Sequence, residues 1–199
     1  MCYRYIIMAA GLGTRWNNYL GVPKHLITIN NETLLGRTTR LLKENGISDY
    51  VITCEDPRYM QYGPVSPQTK HDCEIDRYEE TLVNGPVCYL YGDVYYSEEA
   101  IKKIVNHDPD DVMFFGNDHE IVGIKIKDTD LFFKHKNYVK QLYLTRQIGR
   151  CIGWEIYRSM NNLPFDQHII SNRYILFEDE TDDIDYPYEY EEFKKRLEG

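Results

Sequence analysis

"MAAGLGTRW", residues 8–16, follows directly on "CYRYII", residues 2–7. The first run is β-branched and aromatic, the composition that packs well on a pleated surface. It breaks at Gly11 and Gly13, and a lone cation, Arg15, follows. A parallel strand that ends in glycine-rich backbone and leads into a helix is a common way to hold phosphate. The backbone N–H groups point inward, and glycine allows both the tight turn and the close approach. Two familiar phosphate loops do not fit. In G-x-G-x-x-G the third glycine gives close helix–strand contact, but Trp16 stands in that place. No G-K-[ST] follows at P-loop spacing. What strengthens the turn is "GVPKHLITI", which sets Lys24 after Pro23, nine residues beyond Arg15.

Outward from this turn the chain alternates. "YRYIIMA", "DYVITC", "PVCYLYGDVYY", "DVMFFG", "EIVGIKIK" and "YILFE" read as strands. Several are near-continuous apolar runs, as expected for strands covered on both faces. Helical patterns lie between them. "TLLGRTTRLLKENGI" places Leu34, Thr38, Leu41 and Leu42 on one face, with a stop at Asn45-Gly46. "SEEAIKKIVNH" opens on an N-cap, Ser97, with Glu98 and Glu99 at the positive helix end. "PYEYEEFKKRLEG" has Pro187 in its first turn and an apolar stripe of Tyr190, Phe193 and Leu197. Such alternation predicts right-handed βαβ units in one domain over residues 1–199, with a mostly parallel sheet. Residues 56–81 are rich in Pro, Gly and polar residues and are expected to form a long loop, a flap over a site.

The 199 residues can bury a sizeable core. A net charge of −9 argues against a general nucleic-acid binder, since no overall positive field attracts a phosphate backbone. No apolar run approaches the roughly 20 residues of a membrane span, and no signal peptide opens the chain. The five cysteines are odd in number and lack CxxC spacing. Cys2, Cys54 and Cys88 lie in or beside apolar runs and read as buried thiols, which predicts a reducing, cytoplasmic setting. From Lys125 to Arg158 eight basic residues face three acidic ones. That surplus reads either as a solvated face or as a positive wall that draws in an anionic substrate.

"AAGLGTR" followed by "PK" resembles the signature A-A-G-x-G-[ST]-R…P-K of the nucleotidyltransferases that activate sugar phosphates and related phosphorylated molecules. "ETLLGRTTRLLKENGISDYVIT" resembles that family's next helix and strand. The resemblance implies a Rossmann-like three-layer α/β/α sandwich with a mixed, mostly parallel sheet, of the nucleotide-diphospho-sugar transferase kind. It further implies that Ala10, Gly11, Gly13 and Thr14 contact a nucleoside triphosphate through backbone groups. Arg15 and Lys24 would be the catalytic cations that bind the triphosphate. The chemistry agrees, because nucleotidyl transfer builds negative charge on the α-phosphate and on departing pyrophosphate.

Two carboxylates extend the resemblance. Gly92-Asp93 closes an apolar strand, and ligands of open α/β sheets sit at such carboxyl ends. Asp93 stands where the family carries a Mg²⁺ ligand. "DIDYPYEY" resembles the family's closing D-x-D-T-P-E-D-L, which makes Asp185 the second metal ligand, although Tyr186 replaces the threonine. Asp183 is the substitute if the register is shifted. Mg²⁺ needs only one or two protein carboxylates beside substrate phosphates.

The resemblance implies a Mg²⁺-dependent transfer of a nucleoside monophosphate to a phosphorylated small molecule, a sugar phosphate or a phosphorylated alcohol. CTP is the first expectation for the nucleotide and UTP the second. Lys125 and Arg146, in the basic stretch, are the expected acceptor-binding residues. "IGWEIY" reads as a core segment rather than an acceptor contact through Glu155. The histidines, His71 among them, show no ligand spacing. Three rivals remain open: a metal-dependent glycosyltransferase, a nicotinamide-dependent dehydrogenase and a non-catalytic nucleotide-binding regulator.

Overall fold

The computed structural model describes residues 2–11, 13–68 and 72–198. In chain order the strands and helices are β1 (Arg4–Met8), β2 (Thr28–Ile29), β3 (Glu32–Thr33), α1 (Leu34–Glu44), β4 (Tyr50–Thr53), β5 (Val65–Ser66), β6 (Val87–Tyr91), β7 (Val94–Tyr95), α2 (Glu98–Asn106), β8 (Val112–Gly116), β9 (Ile121–Ile126), α3 (Thr129–Leu144), α4 (Gly153–Met160), β10 (Tyr174–Leu176), β11 (Asp182–Asp183) and α5 (Pro187–Glu198). Seven strands form one sheet in the order β10-β8-β9-β6-β1-β4-β5. β9 runs antiparallel to both its neighbours, and the other pairs are parallel. The mostly parallel mixed sheet expected from the sequence is therefore present.

Alternation along the strands sorts the core into two layers. Tyr5, Ile7, Ile52 and Leu90 face one cluster, which takes in Leu35 and Leu42 of α1 and Ile101 and Ile104 of α2. Ile6, Met8, Val51 and Tyr89 face the other, with Phe132 and Val139 of α3 and Ile156 and Tyr157 of α4. Side chains at successive strand positions point to opposite faces, so a fully buried strand must be apolar throughout. That is why the runs looked continuous. A third cluster, Trp16, Ile27, Ile29, Leu34, Tyr95 and Ile184, buries Tyr190 and Phe193 of α5 and ties the C-terminus to the glycine turn.

The cap expected at Ser97 is present, and Thr33 caps α1 in the same way. Thr33 Oγ accepts from Gly36 N–H at 3.0 Å, and Ser97 Oγ from Ala100 N–H at 2.9 Å. Four expectations need correction. Cys2 is exposed, because it precedes the first paired residue of the edge-on strand end rather than lying in the sheet. "PVCYLYGDVYY" is two strands, broken where the chain turns at Gly92-Asp93. The described parts of 56–81, residues 56–68 and 72–81, are not a free flap: β5 pairs with β4 in parallel, and Glu74–Arg77 forms a 3-10 turn pinned to α3. No helix follows the glycine turn directly; residues 14–18 form an irregular turn, and Asn17 and Asn18 have φ of 48° and 52°. Asparagine tolerates that left-handed region. His71 lies outside the described residues.

Candidate active site

β1, β4 and β6 are in parallel register and end together, Met8 opposite Thr53 and Tyr91. The chain leaves β1 through Ala9 and Ala10 into the glycine turn. Gly13 has φ 57°, a region that L side chains rarely adopt. Trp16 then folds inward, 1% exposed, and its indole N–H donates to the Val22 carbonyl at 2.8 Å. The anchored indole leaves Arg15 at the tip with half of its side chain exposed. After Pro23 a short 3-10 turn carries Lys24 and His25 into the interior.

On β6 the decisive residue is Gly92. Its N–H donates to the Met8 carbonyl at 2.9 Å, and a β-carbon there would stand 2.9 Å from the same oxygen. Only glycine lets the two strand ends come this close, and the next residue, Asp93, is thereby set beside Lys24. The Asp93 carbonyl accepts from Ile184 N–H at 3.1 Å, which brings in β11 and the segment after it. Glu189 of α5 caps its own helix by accepting from Asp185 N–H and Tyr186 N–H at 2.8 and 2.9 Å. The side chain of Asp185 is thus not spent on capping.

These connections converge on Lys24. Its ammonium contacts the carboxylate of Asp93 and, at 2.6 Å, that of Asp185. Asp185 also meets the guanidinium of Arg15. Residues 15, 24, 93 and 185, dispersed over 170 positions of sequence, form one ion-paired group. Burial alone would raise the pKa of Asp93; Lys24, His25 and Arg77 outweigh it and hold the carboxyl at about 2. Burial works against the Lys24 ammonium, and Asp93 with Asp185 more than restores it. His25 is driven down to about 4 by burial and is neutral near pH 7, with Nδ1 2.8 Å from the Tyr59 hydroxyl.

The group forms one wall of a cavity of about 900 Å³, which Ala10, Gly11, Gly13 and Thr14 also line. The volume is within the range of small-molecule sites. Several wall residues were not singled out from the sequence. Trp154 enters from α4, Glu120 from the start of β9, and Glu74 with Arg77 from the loop before β6. Asp183 sits beside Asp185 on the same wall. Burial, together with Glu120, Asp185 and Asp93, pushes its carboxyl up to about 8. Glu120 rises to about 7 through burial and the charges of Asp185 and Glu74. Burial and the neighbouring acids therefore disfavour the anionic form of both Asp183 and Glu120.

The expected positive wall is not there. None of the eight basic residues from Lys125 to Arg158 lines the cavity. Lys125 is 2% exposed, and its ammonium donates to the Ile104 and Val105 carbonyls at 2.8 and 2.7 Å, closing the C-terminal end of α2. Such a residue cannot bind an acceptor. Arg146 is exposed beyond the end of α3, with φ 60°, and also lies away from the cavity. Glu155 is 2% exposed and pairs with Arg158 at 2.8 Å, a core contact. Charge counted along the chain does not report which residues face inward, and that defeated the expectation.

Residues 5–120 match the model of the MobA-like NTP transferase domain. The chain belongs to that family. A stretch of 62 residues is 37% identical to the bifunctional IPC transferase and DIPP synthase of Thermococcus kodakarensis, covering 30% of this chain and 14% of that relative. Solved structures agree over nearly the whole length. The CTP:phosphocholine cytidylyltransferase of Streptococcus pneumoniae superposes with a TM-score of 0.63 at 17% identity, covering 99% of this chain and 100% of the other. The inositol-1-phosphate CTP transferase of T. maritima gives 0.62 at 13%, over 98% and 96%. A UDP-glucose pyrophosphorylase complexed with UDP-glucose gives 0.64 at 14%, over 100% and 99%. At these identities the likeness carries the fold alone, and the chain spans 14% of the length of the curated relative it matches. No helix among the described residues is long and apolar enough to cross a membrane.

Proposed function

We propose that this chain transfers a nucleoside monophosphate from a nucleoside triphosphate, CTP in preference to UTP, to a phosphorylated small molecule and releases pyrophosphate. The observation that carries the proposal is the convergence of Arg15, Lys24, Asp93 and Asp185 beside the glycine turn. The pneumococcal CTP:phosphocholine cytidylyltransferase and the T. maritima inositol-1-phosphate CTP transferase, both of which use CTP, support the choice of nucleotide and of a phosphorylated alcohol or sugar as acceptor.

The acceptor phosphate is already ionised and needs no general base. Its oxygen attacks the α-phosphorus in line, and pyrophosphate departs from the opposite side. Backbone N–H groups of the turn and the cations of Arg15 and Lys24 hold the triphosphate and stabilise charge as it develops. The residues present fit a divalent cation. Lys24 already places a positive charge between Asp93 and Asp185, and a further cation would relieve the repulsion among Asp183, Asp185 and Glu120. Asp93 and Asp185 would hold Mg²⁺ together with substrate phosphates. When bound, Mg²⁺ supplies charge neutralisation at the phosphates.

A matrix of four nucleoside triphosphates with Mg²⁺, crossed against sugar phosphates, phosphocholine-like compounds and phosphorylated amino acids, tests the proposal by pyrophosphate release. Signal in one cell identifies both substrates, and Asp93→Ala should abolish it. Tight nucleotide binding with no pyrophosphate release under any acceptor would make the chain a regulator instead. Release of sugar from a nucleotide sugar would make it a glycosyltransferase.

A further inference from the structure

The cavity contains a charged pair that the mechanism above does not use. Glu74 and Arg77 stand at the two ends of one 3-10 turn, and Arg77 Nη2 lies 3.3 Å from the Glu74 carboxylate. Arg77 Nη1 comes within 3.9 Å of where a β-carbon on Gly11 would be. The guanidinium therefore faces the start of the glycine turn, while Arg15 and Lys24 lie further along it. Its planar group sits 5.4 Å from the centre of the Tyr91 ring.

The pair is held from behind. Lys140 of α3 donates to the Asp76 carboxylate at 2.7 Å, and Lys136 to the Tyr78 carbonyl at 2.7 Å. Ile75 is fully buried, and its N–H donates to the Cys151 carbonyl at 3.3 Å. The hydroxyls of Tyr78 and Tyr91 share a hydrogen bond of 2.6 Å. Every residue between and just after the pair is anchored, so little ordering remains to be done when a ligand arrives. The two side chains keep 31% and 20% of their surface exposed, and an ion pair so placed adds little to stability.

We propose that Glu74 and Arg77 read the base of the nucleoside triphosphate and select cytosine, an inference that rests on the nucleotide-binding reading given above. The carboxylate offers acceptors only, and the guanidinium donors only. Cytosine presents the complement: its N4 amino group donates, while N3 and O2 accept. Uracil is mismatched at two points, since its O4 would meet the Glu74 carboxylate and its N3–H would meet the Arg77 donors. Guanine sets its N1–H against Arg77 as well. Adenine keeps an amino group beside an acceptor but carries C2–H where cytosine has O2. A site built to hydrogen-bond one pattern rejects another strongly, because the mismatched base leaves shielded polar groups unpaired.

Calorimetric binding of CTP, UTP, ATP and GTP, each with Mg²⁺, to the full chain tests this without knowledge of the acceptor. Wild type should bind CTP tightest, by roughly tenfold or more over UTP. Glu74→Gln supplies an amide that can donate to uracil O4, so the CTP:UTP affinity ratio should fall roughly ten- to hundredfold. Arg77→Lys keeps the charge but loses the fork, and should weaken CTP more than UTP. Unchanged melting temperatures in both variants would assign the changes to binding. A wild type that prefers another base, a Glu74→Gln ratio that does not move, or equal weakening of all four nucleotides overturns the base-reading role and leaves the nucleotide site standing. Failure of wild type to bind any triphosphate overturns the underlying reading instead.

Discussion

Removal of the Lys24 ammonium strands a buried carboxylate, and the consequence can be worked from exposure. Lys24 and Asp93 are 8% and 7% exposed, whereas the Asp185 side chain retains 16% and a second partner in Arg15. The loss in Lys24→Met therefore falls chiefly on Asp93. Breaking a buried pair by deleting one partner costs about 3–5 kcal/mol, a large part of the roughly 5–15 kcal/mol by which domains are stable. Adding Asp93→Asn removes the stranded charge, so the double variant should regain at least half of the loss. Turnover should stay down by about 10²–10³-fold in both, since the cation that meets the phosphate is missing. The pH dependence is diagnostic. In wild type the Asp93 carboxyl lies at about 2, below its ordinary 3.8, so its contribution is present above pH 4 and lost as pH falls toward 2. In Lys24→Met only His25 and Arg77 remain against burial and the carboxyl rises, so the single variant should close part of its gap to wild type in acid. Urea unfolding followed by the fluorescence of the two tryptophans measures all three proteins. If Lys24→Met is as stable as wild type, or if Asp93→Asn gives no recovery in its background, the ion-paired group does not have the energetic role assigned to it.

Three other outcomes are expected. Arg15→Ala should lose turnover with a nearly unchanged melting temperature, because the side chain is 56% exposed and an ion pair so placed adds little to stability; unaltered kinetics would remove it from the site. His25 titrates at about 4 in the fold against 6.5 when free. Its stabilisation is complete above pH 6.5 and declines as pH falls toward 4, by about 2 kcal/mol at pH 5, and denaturant titrations of His25→Gln should lack this component. Lys125→Met should leave the acceptor KM untouched while shifting the melting temperature, since the ammonium bonds only main-chain carbonyls; a raised KM would return Lys125 to the acceptor site.

The sequence by itself determined what local chemistry dictates. The strand runs, the cap at Ser97, and the positions of Gly11, Gly13, Arg15 and Lys24 depend on residues that are neighbours along the chain. Hydrophobic periodicity and capping are local, so they can be read in one dimension. The ordered motifs also marked Asp93 and Asp185, although nothing in their spacing required the two to meet at one ammonium. That meeting was decided by tertiary structure, through the close approach of Gly92 to Met8 and the pairing of β7 with β11. The basic residues of 125–158 show the opposite case. A surplus of charge along the chain became, in the fold, a carbonyl lock at Lys125, an anchor at Lys136 and a core pair at Arg158. Glu74 and Arg77 gave no signal in a loop of mixed polarity, because Arg77 meets Gly11 from 66 residues away and Glu74 enters the cavity beside it. Sequence fixes which charges a chain owns. Which of them share a cavity follows from how sheets and helices bury their apolar faces, a packing outcome that no single segment contains.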